Sequence, residues 1–520
     1  MSFIGRTRGF LAAAGVSAFL LGSTSGLAMA ESTITWGKPA EITFGDVHVA
    51  GTASSWDVFQ LVYETLLTTD ETLALKPGLA ESWEQTSPTT YVFTLRENAA
   101  FSNGRRVEPA DVVGSFNRIL DPATASYWAK QFGTVKEVKA LDERRVQVEL
   151  EEPHTAFLPA TAHISAAIIP AKELLAGEFD PVTEMMGTGP FMVVEHKQDE
   201  SWTFAANPHY WREGYPLADR LYAPIIPDEA ARMAALRDGR IDYTFFGNPD
   251  IELLFARDAN VTVIAQETTN YYRVDVNALN PERPFHDKRV RQAMDLALDR
   301  NAIRELVFAG SAPVDFPVPR AFGLEACKSN PAYALPRNER LEKARALLAE
   351  AGTPAPEVAI MATTANPLYA RIAQVMQQSM NEAGFETSIE QVPVADWLQR
   401  VFTDADFDLS VSWLAGYTDP TMVISWWNPK FAVWNLAFFE DVPALDTALN
   451  DVKKMPAGAD RDAKLDEICA MIGDGANLLA LVNKVDYVAY RNDQIEVRID
   501  PKTGSSNMFQ HIGEFNSLKQ

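Results

Sequence analysis

The chain is short of cysteine. Cys327 and Cys469 are the only two among 520 residues, and neither belongs to a C-x-x-C pair of the kind that favours a zinc site. In an oxidising compartment the two could close one disulfide, and the alternative is a pair of buried free thiols. The seven histidines follow no ligand spacing either, so we predict neither a metal site nor a cofactor.

Recognisable catalytic motifs are also missing. The sequence contains no G-x-S-x-G, H-E-x-x-H, S-x-x-K or G-x-x-x-x-G-K pattern. We therefore predict that the protein is not an enzyme, with a secreted hydrolase as the alternative of another class.

Positive charge is scarce. Lys and Arg number 46 against 70 Asp and Glu, which gives a net charge of -24. Phosphate backbones need a basic surface, so nucleic acid is excluded as a partner. Hydrophobic residues (47%) and charged residues (22%) occur at ordinary globular levels, and 520 residues exceed the about 100–200 of one domain.

Long hydrophobic runs are confined to residues 1–30. Arg6 and Arg8 precede an apolar run over 10–21, and Ala28-Met29-Ala30 fits an A-x-A cleavage site. We predict a signal peptide cleaved near Ala30 and export to a bacterial periplasm. No later run approaches the about 18 apolar residues of a membrane span, so we expect no stable membrane insertion, and a monomer by default.

The mature sequence alternates short β-rich runs with amphipathic segments, which predicts a mixed α/β fold. Apolar spacing predicts helices at 56–67 and 287–307, and strands at 357–362 and 386–392. Strand–helix–strand spacing of this kind is typical of a parallel sheet. The stretch 285–480 is therefore expected to form an α/β lobe of its own.

Aromatic residues cluster between positions 397 and 434. The cluster has no clean helical or strand period over 413–434, and Gly416, Pro420 and Pro429 interrupt it, so we predict an irregular segment there. Such rings suit ligand contact, and the alternative is packing within a core or between lobes. Its members are Trp397, Trp413, Tyr417, Trp426, Trp427 and Trp434.

Several stretches resemble, in the family's order, the extracellular solute-binding proteins of ABC importers, in the dipeptide/oligopeptide/nickel-type class (family 5). These stretches are 62–66, 79–83, 91–104, 109–112, 187–191, 207–211, 284–285, 290–293, 344–352 and 417–420. The resemblance implies the two-lobed periplasmic binding protein fold, a clamp with a hinge and an extra subdomain on the first lobe. It also implies an ABC permease with its ATPase as partners and a small-molecule ligand enclosed between the lobes.

On this resemblance, lobe one is expected at 31–57, 180–272 and 484–520, and its subdomain at 58–179. Lobe two is expected at 273–483, with hinge crossings near 271–273 and 482–484.

The ligand is predicted from a departure from the family pattern. Gly416 and Ser410 stand where peptide-binding relatives carry an acidic residue and, in some, an arginine for the two charged peptide ends. Because an unpaired buried ammonium is costly, we predict a sugar-type or opine-type compound or an oligosaccharide. Peptide or oligopeptide binding is the alternative, with Asp419 as amine anchor unless it caps the turn before Pro420. Nickel and haem have less support.

The same mapping gives the expected ligand contacts. They come from the loop before the first helix, the subdomain, lobe two and the second crossing: Thr52, Ala53, Ser54, Tyr127, Trp128, Gln131, Trp397, Trp413, Gly416, Tyr417, Asp419 and Asn483.

Overall fold

A computed structural model of the chain describes residues 31–42, 45–70, 72–126, 128–324, 327, 331–364, 366–414, 419–427, 442–497 and 517–519. The predicted signal peptide, Tyr127, Gly416, Tyr417 and Trp434 lie outside these residues.

The described strands are β1 (Thr33–Gly37), β2 (Leu67–Thr69), β3 (Leu75–Pro77), β4 (Ala80–Ser87), β5 (Thr90–Leu95), β6 (Val135–Ala140), β7 (Arg145–Leu150), β8 (Phe191–Lys197), β9 (Ser201–Ala206), β10 (Arg220–Pro224), β11 (Tyr243–Phe246), β12 (Val261–Gln266), β13 (Tyr271–Val276), β14 (Glu357–Thr363), β15 (Glu386–Val392), β16 (Leu409–Leu414), β17 (Leu478–Asn483), β18 (Asp486–Arg491), β19 (Ile495–Glu496) and β20 (Ser517–Leu518).

The described α-helices are α1 (Ala53–Val62), α2 (Pro109–Leu120), α3 (Phe157–Ala160), α4 (Ala171–Ala176), α5 (Glu229–Arg237), α6 (Ile251–Phe255), α7 (Lys288–Ala297), α8 (Arg300–Phe308), α9 (Arg337–Glu350), α10 (Pro367–Ala383), α11 (Val394–Leu398), α12 (Pro420–Ile424), α13 (Pro443–Val452) and α14 (Ala459–Gly475).

The first large sheet has seven strands in the order β12-β18-β11-β1-β10-β9-β8. β1 pairs in parallel with β10 and β11, whereas β9 and β18 run antiparallel to their neighbours. The carboxyl ends of β1, β10, β11 and β12 therefore lie on one edge of the sheet.

The second large sheet has five strands in the order β15-β14-β16-β13-β17. β14 pairs in parallel with β15 and β16, and β13 runs antiparallel to both of its neighbours. Helices α7 to α10 pack with this sheet around fully buried side chains such as Met294, Ile360 and Ile372. Burying apolar side chains between sheet and helices is the main source of stability in such a layer.

A third sheet, β4-β5-β7-β6, is antiparallel and lies within the range predicted for the subdomain. In β5 and β7, buried positions alternate with more exposed ones, as the period of two predicts.

Two short chain segments connect the large sheets. Residues 267–270 lead from β12 to β13, and residues 484–485 lead from β17 to β18. These crossings lie within a few residues of the expected hinge positions, and β13 begins at Tyr271, inside the range assigned to lobe one. The domain limits themselves stay a prediction.

Two predicted helices differ from the observed ones. The helix expected at 56–67 is α1, which ends at Val62 because Tyr63 is extended and the Val62 carbonyl accepts a hydrogen bond from Gly189 N–H. The helix expected at 287–307 is two helices, α7 and α8. Leu298 adopts extended dihedrals between them, and the Asp299 side chain accepts from Ala302 N–H as the cap of α8.

The structure joins Cys327 and Cys469 in a disulfide that closes a loop across 142 positions. On the chain-entropy account, a bond closing so long a loop stabilises the folded state chiefly by restricting the unfolded chain. Among the described residues, no helix is both long enough and apolar enough to cross a membrane.

Candidate functional site

The carboxyl edges of the two large sheets lie next to each other. Both crossings start or end at these edges, since β12 ends at Gln266, β13 begins at Tyr271, β17 ends at Asn483 and β18 begins at Asp486. A crossing of two residues spans only about 7 Å, so the edges are held close together. In open α/β sheets, ligands bind at the carboxyl ends of the strands, which makes this junction the candidate site.

The two crossings are hydrogen-bonded to each other. The Asn483 side-chain amide donates to the Thr268 carbonyl at 2.7 Å and to Asp315 at 3.0 Å, and Thr268 Oγ1 donates to the Lys484 carbonyl at 2.8 Å. Asn483, predicted to contact the ligand, is fully buried and uses its side chain to join the crossings. Burial raises the pKa of Asp315 to about 7, and its hydrogen bond from Asn483 opposes that rise.

The first turn of α1 lies beside the end of β1. Lys38, directly after β1, donates from Nζ to the Ser54 carbonyl at 2.9 Å. Thr52 stands at the N-cap position of α1, and its hydroxyl donates to Ser55 Oγ at 3.2 Å. The predicted loop residues Thr52, Ala53 and Ser54 are therefore at the carboxyl edge of the first sheet.

Asp57, one turn further along α1, is a buried acidic group near this edge. Burial raises its pKa to about 7, Lys38 and Lys484 lower it, and Asp486 raises it. Burial likewise lowers the pKa of Lys38, and Asp57 opposes that change.

Trp413 reaches the junction from the second sheet. It lies one residue from the end of β16 and is half-buried. Lys484 Nζ, on the second crossing, lies 5.2 Å from the Trp413 ring centroid, a distance at which a cation is attracted to the ring face. The Trp413 ring, predicted to contact the ligand, therefore lies next to a charged side chain of the second crossing.

Trp397 lies on α11, after the carboxyl end of β15. Its indole N–H donates to Ser410 Oγ at 2.7 Å. Ser410, which stands where some relatives carry an arginine, is thus the hydrogen-bond partner of Trp397.

Asp419 is buried and already paired. It caps α12 by accepting from Thr421 N–H at 2.8 Å, and Arg461 Nη2 lies 2.7 and 2.9 Å from its two carboxylate oxygens. The cap before Pro420 is the alternative that the sequence left open, and the pairing with Arg461 leaves Asp419 poorly placed to receive a ligand ammonium.

The subdomain residues Trp128 and Gln131 are buried. The Trp128 indole N–H donates to the Ala50 carbonyl at 3.1 Å, and its ring packs against Trp56 and His163 at centroid distances of 5.7 and 4.5 Å. The loop before α1 and the subdomain are therefore joined here.

Residues 413–414 and 419–427 are more regular than predicted. Trp413 belongs to β16, and Trp426 and Trp427 follow α12 in one further helical turn. Both of these tryptophans are buried, in the same apolar cluster as Met422 and Leu449.

The lobes also touch away from the crossings. Thr155 donates from its N–H and its hydroxyl to the Lys453 carbonyl at 2.7 and 2.9 Å, and Lys454 pairs with Glu152 at 2.7 Å. The range predicted for the subdomain is thus bonded to the end of α13, within the range predicted for lobe two.

Sequence reasoning missed the charged residues of the junction, namely Lys38, Asp57 and Lys484. A lysine directly after a buried strand and an acid inside an otherwise buried helix are the signals that could have pointed to the first two. In the described residues no three His, Cys, Asp or Glu side chains are grouped as metal ligands.

Two α/β sheets joined at their carboxyl edges by a pair of crossings define the class of two-lobed binding proteins. The model of the bacterial extracellular solute-binding proteins, family 5 (middle region), matches residues 74–434. The chain belongs to this family. Both the resemblance and the two-lobed α/β fold predicted from the sequence are confirmed, and proteins of this family act with the permease and ATPase of ABC importers.

Individual relatives share a quarter or so of their residues with the chain. The probable di/tripeptide-binding protein 5 of Pseudomonas aeruginosa is 28% identical to the chain over 460 residues. The match covers 82% of this chain and 85% of the relative's length.

Solved structures share the fold. The binding protein AgaA of A. tumefaciens R10, in complex with agropinic acid, has a TM-score of 0.81 at 23% identity and covers 94% of this chain and 99% of its own. Haemophilus influenzae OppA, in complex with the peptide RPPGFSPFR, has a TM-score of 0.80 at 22% identity. The match covers 95% of this chain and 100% of the OppA chain.

Proposed function

We propose that the protein captures a short peptide or a peptide-like compound in the bacterial periplasm and delivers it to the permease of an ABC importer. The observation that carries this proposal is the junction of two carboxyl edges at paired crossings. A hinge at that place lets two lobes enclose a small ligand, and a ligand that binds the closed form better shifts the population toward it.

The ligand class rests on the relatives. Their names and structures include a di/tripeptide-binding protein and an OppA bound to a peptide. They support the peptide alternative better than the sugar-type or oligosaccharide ligand that the sequence analysis preferred.

An opine-type compound is the second candidate. The structural neighbour bound to agropinic acid favours it, as does Gly416 at the position where peptide-binding relatives carry an acid.

Native mass spectrometry of the chain purified from the periplasm of its own host tests the proposal. We expect a 1:1 complex carrying the mass of a short peptide, because an enclosed ligand dissociates slowly. Protein that has been unfolded in guanidinium, dialysed and refolded is the control and should lack this mass. An opine mass supports the second candidate, and failure to carry or bind any peptide contradicts the proposal.

A further inference from the structure

Asp57 is a buried carboxylate without a hydrogen-bond donor among the described residues. The residue is 8% exposed, and no described group donates to it or forms an ion pair with it. Buried charges in proteins are ordinarily paired and hydrogen-bonded, because leaving them unpaired costs several kcal/mol. The ionised form of Asp57 therefore needs a donor from outside the described residues.

A second unpartnered polar group lies near it. The Tyr243 hydroxyl, at the start of β11, is buried and has no hydrogen-bond partner in the described part of the chain. Its ring stacks on Trp36 at 6.3 Å and meets Phe245 edge-on at 5.2 Å, so its position is fixed by packing. Asp57 is close enough to raise the pKa of this hydroxyl further than burial alone does.

The neighbouring cations are held by other groups. Lys38 Nζ donates to the Ser54 carbonyl and lies 5.4 Å from the Trp36 ring. Lys484 Nζ donates to Asp486 and faces the Trp413 ring. Lys38 and Lys484 therefore influence Asp57 only through their charge and donate no hydrogen bond to it. The carboxylate can still accept hydrogen bonds.

We propose that the Asp57 carboxylate, assisted by the Tyr243 hydroxyl, anchors an ammonium group of the ligand from lobe one. This inference rests on the proposed function and deepens it, since it selects peptides and peptide-like compounds with a free amino group. It moves the acidic anchor for the ammonium from the range predicted for lobe two, where Gly416 carries no acid and Asp419 is already paired with Arg461, to the range predicted for lobe one.

The pH dependence of binding follows from the same geometry. Burial raises the pKa of Asp57 to about 7, with Lys38, Lys484 and Asp486 as the acting charges. A bound ammonium favours the ionised carboxylate, so affinity should rise as pH rises through about 7. It should fall again when the peptide amine loses its proton near about 8.

The test uses an equimolar tripeptide library with free amino ends and the same library N-acetylated, each titrated into the full chain at pH 7.5. We expect the wild type to bind free-amino members about 10- to 100-fold more tightly than acetylated ones, since charge-assisted bonds are lost on acetylation. Asp57→Asn should remove that difference and the rise of affinity with pH. If Lys38, whose pKa burial also lowers, caused the rise, it would persist in Asp57→Asn, and the proposal would fail.

Two further variants distinguish a loss of binding from a loss of folding. Asp242→Asn is the matched control, because Asp242 precedes β11 at the opposite edge of the same sheet and its pKa is also raised by burial; it should bind like the wild type. Tyr243→Phe keeps the packed ring and should weaken free-amino binding about 3- to 10-fold.

The outcomes separate this inference from the proposed function. If the wild type binds both libraries equally, or if Asp57→Asn binds free-amino tripeptides as well as the wild type does, the anchor is refuted and the peptide-binding function stands. If the wild type binds neither library, the proposed function fails and the anchor fails with it.

Discussion

Replacing Arg461 with methionine is expected to lower the free energy of unfolding by about 3–5 kcal/mol. The Arg461 and Asp419 side chains are each only 9% exposed, and they pair at 2.7 Å. Methionine keeps most of the apolar contact but leaves the Asp419 carboxylate buried without its counter-charge. Guanidinium denaturation followed by tryptophan fluorescence measures the change.

The double variant Arg461→Met/Asp419→Asn is the matched control. It removes the stranded charge and keeps an oxygen to cap α12 at Thr421 N–H, so it should recover a large part of the lost stability. A loss below about 1 kcal/mol in the single variant would show that the pair behaves like a solvent-exposed ion pair.

Replacing Trp413 with alanine is expected to weaken binding of free-amino tripeptides by about 10- to 100-fold. The ring is half-buried at the carboxyl end of β16, faces Lys484 and would be covered by a ligand enclosed between the lobes. Losing a buried aromatic contact of this kind costs about 1.5–3 kcal/mol. Isothermal titration calorimetry against the library measures the effect.

Two further variants accompany this experiment. Trp413→Phe retains an aromatic face and should lose only part of the affinity. Trp83→Ala removes a half-buried ring on β4, the edge strand of the third sheet, and should leave affinity unchanged. Unaltered binding by Trp413→Ala would remove this ring from the ligand site.

Local periodicity was sufficient for much of the fold. The strands predicted at 357–362 and 386–392 are β14 (Glu357–Thr363) and β15 (Glu386–Val392), each within a residue of its predicted bounds. The apolar spacing of these segments and the residues at their ends indicate the same type of element, so the local sequence is enough to predict it. The break between α7 and α8 escaped prediction because apolar spacing continues across it, and only the Asp299 cap marks the boundary.

The site was less predictable because it depends on side chains that are distant in sequence. Asp57 and Tyr243 are 186 positions apart, and each is unremarkable in its own segment. Only the pairing of β1 with β11 brings their surroundings together. Asn483 and Asp419, expected as ligand contacts from the family mapping, hydrogen-bond to Thr268 and Arg461, partners that are likewise distant in sequence.

Ligand binding is expected to close the two lobes over a small molecule at the junction of the carboxyl edges. Spin labels at Leu175→Cys on α4 and Val394→Cys on α11, exposed positions in the ranges predicted for different lobes, report the distance between the two positions by double electron–electron resonance. We predict a shorter and narrower distance distribution when free-amino tripeptides are added. An unchanged distance distribution, while calorimetry shows those tripeptides bound, would show that binding does not close the lobes.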